Sequence, residues 1–186
     1  MSRALITGAG KRLGRAMALY LADRGFDVAV HYASSAEAAE EVADLIRAKG
    51  RTACTVQADL LNEDATQGLV DAAVAGIGGP LTVLINNASI FEYDNIATAT
   101  RESWDRHLES NLRAPFVRTQ HFAGQLPEPI IDDMEEPVAS GLVINMIDQR
   151  VRKLTPEFMT YTIAKMGLWA FTQTAAQALA PKCRVN

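Results

Sequence analysis

Five short apolar runs, 3–6, 27–32, 52–57, 81–86 and 141–147, alternate along the chain with helical patterns at about 12–24, 35–49, 62–77, 101–126 and 157–180. The runs are apolar almost throughout, so each strand must be covered on both faces. Strands of that kind, separated by helices, predict a parallel sheet in a three-layer α/β/α arrangement. Gly25, Gly50, Gly78-Gly79-Pro80 and Pro181 mark the turns. With 186 residues, 48% of them hydrophobic, the chain can bury one sizeable core, which predicts a single domain over 1–186.

The first unit carries a nucleotide signal. Its strand runs into Thr7-Gly-Ala-Gly-Lys-Arg-Leu-Gly14 and then a helix. Glycine at 8 permits a tight turn, free amides at the helix start can receive a pyrophosphate, and glycine at 14 lets helix and strand approach closely. Near the other end, Tyr161-Thr-Ile-Ala-Lys165 sets a phenol and an ammonium on one helix face. A cation held beside a phenol pulls its pKa from about 10 towards neutrality, which would make Tyr161 a proton donor at cellular pH. Alone, the pair reads equally as two surface residues; the glycine turn between strand and helix favours chemistry. Asp148 stands at the end of the run 141–147, upstream of Tyr161.

Thr7-Gly8, Gly14, Asp59-Leu60, Asn86-Asn-Ala88, Asn111, Tyr161 and Lys165, in that order, resemble the pattern of the short-chain dehydrogenase/reductase family over 1–186. Three departures from the common pattern resemble the pteridine reductases within it. Arg12 replaces the middle glycine of the nucleotide loop, Asp148 stands where serine is usual, and Ser89 stands where glycine is usual, with Phe91 two residues on. The resemblance implies a Rossmann-type doubly wound sheet. It also implies a cofactor held by Gly8, Lys11, Arg12, Leu13, Gly14, Ser34, Ser35, Asp59, Leu60, Asn87, Ala88, Ser89, Tyr161 and Lys165, with Asn86 against it as well. Asn111 would complete a proton relay with Asp148, Tyr161 and Lys165, and Lys165 would hold the nicotinamide ribose. On its own terms Asn111 reads as a helix-interior asparagine bent around a carbonyl. Asp59 reads as an N-cap for the helix near Asn62, a role compatible with meeting an adenine amino group.

Folds that prefer NAD hold its ribose hydroxyls with an acid after the second strand. Here Val28 to Ser35 has no acid but offers Ser34 and Ser35, and Lys11 and Arg12 add positive charge nearby. NADP(H) is therefore favoured, with a pair of solvated charges as the bland alternative. On the substrate side, an ionised aspartate cannot donate to a carbonyl oxygen and repels a developing alkoxide. Asp148 suits a substrate that presents N–H donors, or, when protonated, a proton delivery to nitrogen. A pterin offers an amino-pyrimidine edge and a ring C=N. Phe91 reads equally as a stacking platform for such a ring or as a core residue, and Asp148 also reads as a turn cap. The expectation is an NADPH-dependent reductase of a dihydropterin or dihydrofolate. A carbonyl or 3-oxoacyl reductase of the same family is the alternative, and a nucleotide-binding interaction protein without turnover is the alternative of another class.

A net charge of −4 without basic runs argues against nucleic acid as a partner. No apolar stretch has the length of a signal core or a membrane span, so a cytoplasmic location is expected. Cys54 and Cys183 lack metal-ligand spacing and read as buried free thiols, and no metal is expected. His31, His107 and His121 show no partner spacing and are assigned no chemistry. Pro127 to Pro137, with five acids and three prolines, reads as a solvated loop. Pro181 to Asn186 reads as the start of a sixth strand, with the family's substrate loop and seventh strand expected beyond it. The helix 166–176 is apolar almost all round, which suggests a subunit contact or burial under a further C-terminal segment; the family resemblance implies a homodimer or homotetramer formed through this helix and the helix 101–125.

Overall fold

The computed structural model describes residues 2–186. Arg3–Ile6 (β1), Asp27–Tyr32 (β2), Ala53–Gln57 (β3) and Val83–Asn86 (β4) form a parallel sheet with Gly141–Asn145 and Cys183–Val185. The last two are β7 and β8. Between them and β4 lies a small antiparallel pair, Ile130–Ile131 (β5) and Pro137–Val138 (β6). The order across the main sheet is β3-β2-β1-β4-β7-β8. It winds one way from β1 to β3 and the other way from β4 to β8, which opens a crevice at the carboxyl ends of β1 and β4, where such sheets bind ligands.

The strands are apolar on both faces for the reason the sequence indicates. Leu5 points to a core with Leu69, Leu84, Phe122 and Val143, while Ala4 and Ile6 point to the opposite core with Ala18, Val30, Val42 and Ile46. The helices that supply those layers are Arg12–Ala22 (α1), Ala36–Ala48 (α2), Glu63–Ile77 (α3), Arg101–Leu108 (α4), Ala114–Gln125 (α5) and Met159–Leu179 (α6). Gly25, Gly50 and Gly78 end α1, α2 and α3 with φ of 85°, 75° and 77°, the left-handed geometry that stops a helix without a Cβ penalty.

Three expectations need correction. The single helix at 101–126 is two helices joined by one π-helical turn, Glu109–Arg113; a single turn of this kind inside an α-helix has no residue signature of its own, so the sequence does not mark it. The acidic segment is not entirely loop, since β5 and β6 pair within it, and Asp132 accepts from the amides of Met134 and Glu136 to close the turn. Cys183 is buried, but Cys54 is only half-buried. Among the described residues no helix is long and apolar enough to cross a membrane, and no cluster of metal-ligating side chains occurs.

Candidate active site

The crevice at the ends of β1, β4 and β7 is a cleft of about 590 Å3, lined on one side by Gly8, Lys11, Arg12, Leu13 and Gly14 and on the other by Asn87, Ala88, Ser89, Phe91, Met146, Ile147, Asp148, Tyr161 and Lys165. Its size is that of a small-molecule site. Gly8 takes φ 64°. A Cβ at Gly14 would drive into the Gly8 carbonyl and lie 2.8 Å from the Asn87 amide nitrogen, so the turn closes only with glycine there. Thr7 ties this turn to the next strand: its Oγ1 accepts from the amides of Asn87 and Ala88 at 2.9 Å each, and Asn87 Nδ2 donates to Thr7 O.

Arg12 sits at φ 52°, a conformation that costs a non-glycine residue, in the position where the sequence departs from glycine. Lys11 Nζ donates to Ser35 Oγ at 3.1 Å, so two groups expected near a 2′-phosphate meet, while Ser34 is exposed beside them. These residues fit a phosphorylated dinucleotide: a glycine cradle at the start of α1, two cations and a hydroxyl at its edge. Asp59 and Leu60 follow β3, outside the cleft lining. Asp59 does not cap α3. Asn62 does, accepting from Ala65 N, while Asp59 accepts from Leu61 N. Asn86, expected against the cofactor, turns into the protein. It donates to Asn145 Oδ1 and accepts from Nε of Arg118, a fully buried guanidinium whose two Nη atoms have no partner among the described residues.

Tyr161 stands in the first turns of α6, and its hydroxyl donates to Asp148 Oδ2 at 3.0 Å. The other carboxylate oxygen accepts from Arg150 N at 2.9 Å and caps the short turn Gln149–Val151. Asp148 is thus both a turn cap and a partner of the phenol. Tyr161 and Lys165 are buried. Lys165 does not do what its spacing suggests. Its Nζ donates to Met146 O at 2.8 Å and lies 5.7 Å from the centre of the Tyr161 ring. Burial, then the charge of Asp148 and the hydrogen bond to it, push the Tyr161 phenol above its ordinary value; Ser89 and Arg150 oppose this without reversing it. The expected lowering is therefore reversed in this geometry, because the phenol is buried and its nearest charge is a carboxylate, not the ammonium. Burial also brings Lys165 down to about 8, with Asp148 working against the fall.

Asn111 lies in the π-helical turn, and its side-chain amide bonds both ways to Ile90, Nδ2 to the carbonyl at 2.8 Å and Oδ1 from the amide at 2.9 Å. It holds the segment that carries Phe91. The Phe91 ring is half-exposed, edge-on to Tyr161 at 4.7 Å, and stacked on Phe158 at 4.2 Å and 8°. Phe158 itself has φ 55°, and Arg150 lies over its ring at 4.7 Å.

Three residues at this end of the sheet carry no sequence signal. His31 bridges the nucleotide turn, Nδ1 accepting from Gly8 N and Nε2 donating to Ala58 O, each at 3.0 Å. His107 and Asp94 lie buried behind Tyr161.

The short chain dehydrogenase family profile matches residues 2–186. The 3-oxoacyl-[acyl-carrier-protein] reductase FabG of Staphylococcus aureus is 32% identical over 179 residues, 96% of this chain and 69% of its own length. An uncharacterised oxidoreductase of Methylorubrum extorquens is 36% identical over 184 residues, 98% of this chain and 69% of its own. Among solved structures, FolM alternative dihydrofolate reductase 1 from Brucella canis, complexed with NADP, is similar with a TM-score of 0.90 at 42% identity, over 100% of this chain and 71% of that one. LugOII, a promiscuous reductase that catalyses keto-reduction, gives a TM-score of 0.88 at 32% identity over 100% of this chain and 75% of its own.

Proposed function

The chain belongs to the short chain dehydrogenase family of oxidoreductases, and from that premise we propose that it is an NADPH-dependent reductase of a pteridine-type substrate, a dihydropterin or dihydrofolate. In this reading 1–186 forms one cofactor-binding domain, and the chain works in the cytoplasm as a homodimer or homotetramer. The observation that carries it is the 3.0 Å contact of the Tyr161 hydroxyl with Asp148 inside the cleft. The likeness to an alternative dihydrofolate reductase at 42% identity supports it.

Gly8, Gly14 and the start of α1 would hold the pyrophosphate, with Lys11, Arg12 and Ser35 on the 2′-phosphate and Lys165 on the nicotinamide ribose. NADPH, when bound, supplies the hydride. Asp148 accepts N–H donors from the amino-pyrimidine edge and orients the ring. Tyr161 keeps its proton at neutral pH, since its pKa is raised. A weak acid suffices here. A ring nitrogen that has just taken an electron pair from a reduced C=N is far more basic than a phenolate, and the proton passes from Tyr161 Oη to it. For a ketone the same pair is ill suited, because the Asp148 charge faces the developing alkoxide.

A second reading, 3-oxoacyl or carbonyl reduction, is favoured by the 32% identity to a 3-oxoacyl reductase. NADPH oxidation measured with dihydropterin, dihydrofolate, a 3-oxoacyl thioester and simple ketones separates the two. Asp148→Ser should lower pterin reduction at least about tenfold, since an unpaired buried donor costs about 1–3 kcal/mol and a proton path is lost besides, while ketone reduction holds or rises. The reverse pattern assigns the protein to the second reading.

A further inference from the structure

Behind Tyr161, on the side away from the cleft, three buried polar side chains from three different segments form one chain of hydrogen bonds. Asp94 follows β4, His107 belongs to α4 and Thr160 opens α6, and all three are at most 2% exposed. Glu92 N donates to His107 Nε2 at 3.1 Å. His107 Nδ1 meets Thr160 Oγ1 at 2.7 Å. The Thr160 hydroxyl donates to Asp94 Oδ2 in a very short bond, and Thr160 N donates to Asp94 Oδ1 at 3.2 Å.

The direction of every bond is fixed by its first member. A backbone N–H can only donate, so Nε2 accepts, the imidazole is neutral with its proton on Nδ1, and the threonine hydroxyl passes the polarity on to a carboxylate. No polar atom of the three is left without a partner. The two ends are what give the chain meaning. Glu92 follows Phe91, the half-exposed aromatic at the mouth of the cleft, and Thr160 precedes Tyr161. The His107 ring also stands edge-on to Tyr161 at 5.9 Å, and Asp94 O accepts from Phe158 N at 2.7 Å. An imidazole and a carboxylate are costly to bury, and apolar side chains of similar volume would hold α4 against α6 at least as firmly.

We infer that Asp94, Thr160 and His107 are positioning residues: a directional relay that sets Phe91 and the Tyr161 hydroxyl at a fixed separation, so that the cleft accepts a flat ring against Phe91 with its reacting nitrogen at Tyr161. The inference rests on the reading of Tyr161 as the proton donor to a planar heterocycle. His107 is the joint. Its two nitrogens hold one side of the site each, and they can be uncoupled.

In His107→Asn the short side chain keeps a donor near the Nδ1 position for Thr160 and has no atom to accept from Glu92. In His107→Gln the longer side chain brings an acceptor to Glu92 N and leaves Thr160 without its donor. Amide hydrogen exchange is read at 90–95 and at 159–165, alongside kcat and KM for NADPH oxidation with dihydropterin. His107→Asn should speed exchange at 90–95 alone and raise KM about fivefold with kcat nearly held; His107→Gln should speed exchange at 159–165 alone and lower kcat about fivefold with KM nearly held, each the worth of one hydrogen bond. Equal acceleration of both segments in both variants, or of neither, overturns the relay and leaves His107 as packing. The exchange data decide this even if no pterin is reduced, a result that would sink the proposed function alone. Should the His107 variants fail to fold, Thr160→Ser against Thr160→Val serves instead. Serine keeps the hydroxyl and should keep wild-type kcat, whereas valine should lower it; equal kcat for the two sinks the inference.

Discussion

Arg12 occupies left-handed backbone at φ 52°, where a side chain is a burden unless something uses it. Glycine there would relieve strain of about 1–3 kcal/mol, and it would also remove a cation from the edge of the nucleotide cleft. Arg12→Gly should therefore raise the urea midpoint of the free protein and narrow the preference for NADPH over NADH by roughly ten- to a hundredfold, one charge-assisted contact; titrating both cofactors into wild type and variant tests it. A midpoint that falls would mean that the arginine stabilises the turn, contrary to this account. At Tyr161 the expectation is different in kind. Tyr161→Phe removes only the hydroxyl that Asp148 accepts from, so NADPH should bind nearly as before while turnover falls strongly. Single-turnover kinetics at saturating NADPH distinguish this from a loss of binding. Both residues were legible in the sequence, Arg12 as a cation where glycine belongs and Tyr161 by its spacing to Lys165. The electrostatics between Tyr161 and Lys165 were not legible, because spacing along a helix says nothing of the Met146 carbonyl that draws Lys165 away.

The elements were legible where they depend on local composition and illegible where they depend on partners distant in sequence. Apolar runs mark β1, β2 and β4, buried on both faces, and β7, buried on one face and partly buried on the other, and glycines mark the ends of α1 to α3. The π-helical turn that aims Asn111 at Ile90 leaves no such mark, nor does the relay behind Tyr161, whose members lie 53 and 66 residues apart. The same holds for His31, which joins β2 to the nucleotide turn and to Ala58. Burial first, then the charge of Arg118, lowers its pKa from 6.5 to about 4, with the bond to Ala58 opposing. The unfolded chain thus takes up a proton below about pH 6.5 that the folded ring refuses until near pH 4. Stability from the neutral ring is complete above that window and falls as the pH drops through it, by about 3 kcal/mol at most. Urea unfolding at pH 7, 5 and 4 should show this loss in wild type and a shallower one in His31→Gln. Parallel pH dependence in the two proteins would remove His31 as the cause.

Across the molecule, the winding reverses between β1 and β4, and the cleft lies at that reversal because the loops after those two strands diverge there. The glycine turn after β1, the loop after β4, Asp148 after β7 and the first turns of α6 enter this crevice from strand ends or a helix start, whereas Asp59 and Leu60 stand outside its lining and Asn111 reaches it only through Ile90. The outer surface obeys another logic. Phe116 on α5 lies between two grooves, one along α4 and the π-helical turn where Leu61, Leu108 and Leu112 are rimmed by Arg101, Asp105, Arg106, Glu109 and Arg113, the other against α6 with Phe171, Ala178 and Leu179. Its ring meets Phe171 at 5.0 Å and Arg113 at 5.7 Å. Partly buried apolar side chains rimmed by charges of both signs have the make-up of an interface core with a polar rim, and a second copy of the same face would cover it by two-fold symmetry. If the proposed assembly forms there, light scattering on the eluting protein should give the mass of two or four chains. Phe116→Glu, which puts a charge at the centre of that face without entering the cleft, should give the mass of one chain with unchanged circular dichroism and retained NADPH binding. A wild type that elutes as one chain at micromolar concentration would show that this face is covered in some other way.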